Sequence, residues 1–134
     1  LKSHNAARAE YGAGALTWDG DLVSLAQKWA KGCVWAHGGA NGAGQNLAMF
    51  SGKDSTIDQA VDMWMNEAGD YDASNPIYSH FTQVVWEATT KLGCAVHYCP
   101  TIQGLSYGGN FFVCNYLSAG NVPGEFVRSV DLER

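Results

Sequence analysis

Apolar residues recur at helical spacing through the first part of the chain and switch to alternation towards its end. Leu22, Leu25, Ala26, Trp29 and Cys33 fall at i, i+3, i+4, i+7 and i+11, the stripe of an amphipathic helix with Cys33 on its core face. Asp19 or Asp21 can cap its start, and Gly38-Gly39 closes the region. A second helix is predicted from about Ser55 to Gly69, with Ile57, Val61, Trp64, Met65 and Ala68 along one side and Asp54 or Ser55 placed to accept its first free amides. The alanine-rich opening that ends at Gly12 predicts a third helix, and Ser79 to Ala88 a fourth. After Gly93 the period becomes two: Cys94, Val96 and Tyr98 share one side, and Ala95, His97 and Cys99 the other. Asn110 to Tyr116 follows a turn containing Gly and Ser, so an antiparallel hairpin is the economical pairing.

Composition sets the scale. With 134 residues and 46% apolar content, the chain is long enough for one compact domain spanning 1–134, and no repeat, charge block or Pro-rich linker divides it. A net charge of −5 with eight scattered basic residues argues against nucleic acid or an anionic membrane surface, both of which need clustered Lys and Arg. No apolar run approaches the roughly 20 residues of a membrane span. The chain opens at Leu1 without an initiator Met, so a removed leader is expected.

Cys33, Cys94, Cys99 and Cys114 are even in number and include no CxxC pair, which favours two disulfides and a secretory, oxidising compartment. Four cysteines allow three pairings. Cys94 and Cys99 point to opposite faces of one strand and are not expected to bond to each other. Of the remaining pairings the expectation is Cys33 with Cys94, tying helix to sheet, and Cys99 with Cys114, tying strand to strand.

Glu67 shares a helical stripe with Ala60, Trp64 and Tyr71. A carboxylate among such neighbours must be paired, hydrogen-bonded, protonated or at a wet rim. His80 stands in the first turn of its helix, where the dipole favours the neutral, ligand-competent imidazole; a hydrogen-bonded structural histidine is the plainer reading. His37 lies in the loop Trp35-Ala36-His37-Gly38-Gly39, whose glycines let backbone approach a neighbour closely. Gln45 and Asn46 read as loop amides, and His4 and His97 as structural.

Four ordered blocks carry more information than any single residue: His4-Asn5-Ala6-Ala7-Arg8, Gly44-Gln45-Asn46-Leu47, Ser79 to Trp86 with its His80-Phe81-Thr82-Gln83, and Phe112 to Asn121. They resemble the CAP superfamily of cysteine-rich secretory proteins, antigen 5 and plant pathogenesis-related class 1 proteins. The resemblance implies an α+β fold, a secreted three-layer α-β-α sandwich around a central antiparallel sheet, and is in keeping with the cysteine pairing above. It also implies a cleft in which two histidines and two glutamates can take a divalent metal, zinc or magnesium, that the fold does not require. By position these are His37, His80 and Glu67, while the fourth position holds Gln45 in place of glutamate. An amide oxygen can coordinate, but the cleft loses a negative charge and affinity for a hard cation; two imidazoles and a carboxylate remain a zinc set.

The segment before His80 is the second departure. In many relatives a longer run here is associated with sterol binding; here Tyr71 to Ser79 connects almost directly to His80, so Tyr71, Pro76, Ile77 and Tyr78 offer less apolar surface. The function expected from the resemblance is a secreted, non-enzymatic domain that binds a small apolar ligand, sterol or fatty acid, with sterol binding impaired by the short loop. Two other functions are compatible with the chain: a scaffold recognising a protein or glycan in defence or virulence, and a zinc-dependent hydrolase. The hydrolase is disfavoured because there is no HExxH spacing and Glu67 cannot serve as both ligand and base.

Overall fold

In the computed structural model, which describes residues 1–71 and 79–122, the chain forms a four-stranded sheet between two helical layers. The elements in order are α1 (Lys2–Glu10), β1 (Thr17–Trp18), α2 (Gly20–Lys31), β2 (Gly44–Ser51), α3 (Ile57–Met65) with a 3-10 turn (Asn66–Asp70), α4 (His80–Val84), β3 (Lys91–Cys99) and β4 (Gly109–Leu117). The sheet order is β1-β3-β4-β2. β4 pairs antiparallel with both neighbours, while the two-residue β1 runs parallel to β3, a small exception to the antiparallel expectation.

β4 is buried from Gly109 to Tyr116 because both of its faces are covered. On one face Phe111, Val113, Leu47 and Met49 pack against Ala26 and Ala30 of α2. On the other, Phe112, Tyr116 and Ala48 meet Ala60, Val61, Trp64 and Phe81 from α3 and α4. Asp19 caps α2 by accepting from Asp21 and Leu22, and Gly93 lets α2 lie directly on β3, since a Cβ there would strike Leu22 and Val23. These contacts give the α-β-α sandwich.

Three expectations about the elements are corrected. β2 was not predicted: with a layer on each side its residues show no alternation of polarity, and Gly44-Gln45-Asn46 reads as a turn. α4 is shorter than the predicted Ser79 to Ala88, since it ends at Val84. Cys33 does pack against the core, but not from α2, because the helix stops at Lys31 and Cys33 sits beyond it with a positive φ of 52°.

The disulfides are Cys33–Cys99 and Cys94–Cys114, which overturns the expected pairing of Cys33 with Cys94 and Cys99 with Cys114. Strand register is the reason. Cys94 lies directly opposite Cys114 across the β3–β4 ladder, whereas Cys99 is opposite Gly109. Cys94 and Cys99 do point to opposite faces, but Cys99 takes the α2 face, where the chain leaving α2 delivers Cys33.

Candidate functional site

The four residues at the positions of the expected metal set line one cleft of about 520 Å³, together with Asn46, Asp70, Tyr71, Ser79 and Asn121. Within it they form two pairs. His80 Nδ1 lies 2.8 Å from Glu67 Oε2, and His37 Nδ1 lies 3.0 Å from Gln45 Oε1.

The first pair is built by the start of α4. Ser79 caps the helix by accepting from the Thr82 amide at 3.1 Å, and Thr82 Oγ1 accepts from the Ser79 amide at 3.0 Å, a reciprocal capping box. Glu67, in the 3-10 turn after α3, brings a carboxylate to the same helix end: its Oε1 accepts from the backbone amides of His80 at 2.7 Å and Phe81 at 3.3 Å. A negative charge there is favoured by the free amides and the dipole. Since the carboxylate only accepts, His80 donates from Nδ1, and in the neutral ring Nε2 is the nitrogen with a free lone pair. The imidazole stacks on Trp64, with centroids 6.1 Å apart and an interplanar angle of 15°.

The second pair depends on a loop seated on Trp29. A Cβ at Gly38 would strike the indole ring, so glycine permits the approach, and Trp29 Nε1 donates to Ala36 O at 2.9 Å. Gln45, on β2, then holds the loop through both ends of its amide. His37 is exposed and, like His80, keeps Nε2 outside its side-chain hydrogen bond.

Beneath the cleft lies a buried polar chain that sequence reasoning left as structural or unassigned. Asn46 Nδ2 donates to His80 O at 3.1 Å and to the Tyr116 hydroxyl at 3.2 Å, and that hydroxyl lies 2.7 Å from His4 Nε2. Gln83 Oε1 accepts from the Gly120 amide, and Asn121 Nδ2 donates to Ser79 O, so the second and fourth resemblance blocks are bound to the third. Asp70, on the cleft rim, is a carboxylate not singled out from the sequence; its place three residues after Glu67 was the available signal.

His37, Glu67 and His80 do not bring three donor atoms within 4.8 Å of one another among the described residues. The sets that do, His4 with Cys94 and Cys114 and His97 with Cys33 and Cys99, each contain both sulfurs of a disulfide and have no thiolate to offer. Of the expected lipid-binding loop, Tyr71 is buried against Phe81, and Pro76, Ile77 and Tyr78 lie outside the described residues.

A second concavity, of about 820 Å³, runs between α1 and α3. Ala6, Ala7, Tyr11, Val61 and Met65 supply its apolar lining, and Lys2, Glu10, Asp58 and Asp62 are among its polar residues. No helix among the described residues is long and apolar enough to cross a membrane.

Comparison with known proteins agrees with this architecture. The chain is 39% identical to fruiting body protein SC7 of Schizophyllum commune over 91% of its own length and 64% of that protein's, and it spans 61% of the related SC14. It is 36% identical to a PR-1 type pathogenesis-related protein of Sambucus nigra, covering 93% of this chain and 77% of that one. Among solved structures, MpPR-1i superposes with a TM-score of 0.67 at 26% identity, covering 89% of this chain and 84% of that one. NaASP2 with Zn2+ gives a TM-score of 0.66 at 25% identity over 91% and 78%. Residues 1–116 match the family described as CAP, the cysteine-rich secretory protein family, and the chain belongs to it.

Proposed function

We propose that this chain is a secreted, non-enzymatic CAP domain that binds a small apolar ligand and carries a divalent-cation site in its cleft. The observation that supports binding over catalysis is how the cleft's polar groups are committed. Glu67 accepts three hydrogen bonds at the start of α4, and Ser79 Oγ is the helix cap. His80 Nδ1 faces the carboxylate and Ser79 Oγ faces Thr82, so the cleft serine is not paired with a base as nucleophilic catalysis requires. What the cleft offers a ligand is His37 Nε2 and His80 Nε2, with Asp70 on the rim. Imidazole nitrogens of this kind, held through Nδ1 by an oxygen, are metal ligands, and a cation bound to them would lend the cleft positive charge. The zinc named for NaASP2 is consistent with that reading.

For the apolar ligand, the α1–α3 groove is the better place. Its volume of about 820 Å³ lies within the usual range for small-molecule sites, and its apolar lining with charged residues suits an acyl chain with a polar head. The disulfides fit an extracellular setting. Titrating the protein with labelled palmitate and a labelled sterol tests the ligand. Saturable palmitate uptake that is lost in Ala6→Trp, which fills the groove from an exposed position, is the expected result; no saturable uptake of either lipid sinks the reading. Calorimetry with zinc should give one site per chain, lost in His37→Ala and in His80→Ala.

A further inference from the structure

We infer that Gln45 is a positioning residue and not a metal ligand: its amide fixes His37 with Nε2 open and makes the cleft select a nitrogen-seeking cation over a hard, oxygen-seeking one. The selectivity rests on the cation reading above; the positioning of His37 does not.

All of the hydrogen-bonding capacity that the Gln45 amide shows is in use. Its Nε2 donates to Gly38 O at 2.8 Å and to Asn115 Oδ1 at 3.0 Å; its Oε1 accepts from the Gly38 amide at 3.1 Å and lies 3.0 Å from His37 Nδ1. The orientation of the amide follows from these partners. Turning it over would set its oxygen against the Gly38 carbonyl and its NH2 against the Gly38 N–H, two like-to-like contacts in place of two bonds. Asn115 is held in turn: it is fully buried, and its Nδ2 donates to Leu22 O at 3.3 Å, which leaves its oxygen for Gln45. A continuous chain of amides therefore runs from α2 through β4 and β2 to the His37 loop.

With Oε1 fixed as an acceptor, His37 has to donate from Nδ1. The neutral ring then carries its lone pair on Nε2, the tautomer that a metal needs. Gln45 does for His37 what Glu67 does for His80, but without a charge. A glutamate at 45 would keep the two accepted bonds, lose the two donated ones, and bring a charged oxygen to the cleft. The cleft is thus built around two imidazoles with one fewer anion. Mg2+ and Ca2+ rely on several oxygen ligands, whereas Zn2+, Cu2+ and Ni2+ accept imidazole.

Long-range 1H–15N correlation spectra of the histidine rings, recorded without metal at about pH 8, where an unperturbed imidazole is neutral, read the tautomers directly. In the wild-type chain His37 and His80 should both carry the proton on Nδ1. Gln45→Ala should move His37 towards the Nε2–H form, leave His80 unchanged as the internal control of folding, and weaken zinc binding by about tenfold or more. Gln45→Glu should keep His37 protonated on Nδ1, through the oxygen that still accepts, and tighten Mg2+ binding relative to wild type. A wild-type His37 protonated on Nε2, a Gln45→Ala spectrum identical to wild type, or Mg2+ binding as tight as Zn2+ overturns the inference. Failure of the wild-type chain to take up zinc overturns the cation reading and the selectivity, while the metal-free spectra still decide the role of Gln45.

Discussion

Trp64 has two histidines against its ring, and the two differ in almost everything that decides function. His4 is tilted at 60° with its centroid 6.0 Å from the indole, and His80 is stacked at 15° and 6.1 Å. His4 is fully buried, bonds through Nε2 to Tyr116, and has no partner for Nδ1 among the described residues. Burial, then the positive charge of the chain's first amino group and of Arg8, push its pKa down to about 3. His80 is half-exposed, shares its Nδ1 with a carboxylate, and presents Nε2 to a cleft. The same residue type beside the same tryptophan is part of the core in one case and lines an open cleft in the other. The difference lies in what takes the second ring nitrogen: enclosed protein for His4, open cleft for His80.

The enclosed side should be the more fragile. Arg8 is buried there and donates to four carbonyls, those of Gly14, Val84, Trp86 and Thr89, at 2.7–3.0 Å. It closes the end of α4 opposite His80, and although burial lowers its pKa to about 10, it stays charged at neutral pH. Arg8→Leu strands those acceptors and should cost on the order of 3–5 kcal/mol by denaturant unfolding. A loss under about 1 kcal/mol would show that the carbonyls find water instead.

His4 should give the chain an acid-sensitive stability. The unfolded chain protonates this residue near 6.5 and the folded chain only near 3, so between those values the unfolded state binds more protons. The contribution is complete above pH 6.5 and falls as the pH drops towards 3, by at most about 1.4 kcal/mol for each unit. His4→Gln should flatten this part of the stability profile. Equal slopes for variant and wild type would contradict the buried, neutral assignment.

On the open side the effects on stability should be smaller and the effects on the ring larger. Glu67→Gln removes the charge from the start of α4 and should cost about 1 kcal/mol. Its amide can still accept from His80 Nδ1, so the variant separates charge from orientation. Unchanged unfolding would mean that Glu67 serves the cleft alone.

The sequence carried the helices and the hairpin in local spacing and the four family blocks in their order, and through the resemblance those blocks implied the three-layer architecture and the residues that meet in the cleft. His37, Gln45, Glu67 and His80 were recognised by position, and the structure brings them to one concavity. What the sequence did not carry depended on register or on polar bonding across elements. The disulfide pairing followed from setting Cys94 opposite Cys114, which strand parity alone cannot decide. β2 was hidden by burial on both faces. Nor does any spacing show that Glu67 accepts from α4, that Gln45 binds both ends of the Gly38 peptide group, or that Tyr11 and Met65 line one groove.

The most direct test of the division between the two histidines is a titration of the protein with zinc, following the ring signals of all four histidines by NMR. The account predicts that His37 and His80 change together and are complete at one equivalent, while His4 does not move. A response at His97 alone, or a first equivalent taken up without change at both His37 and His80, would contradict it.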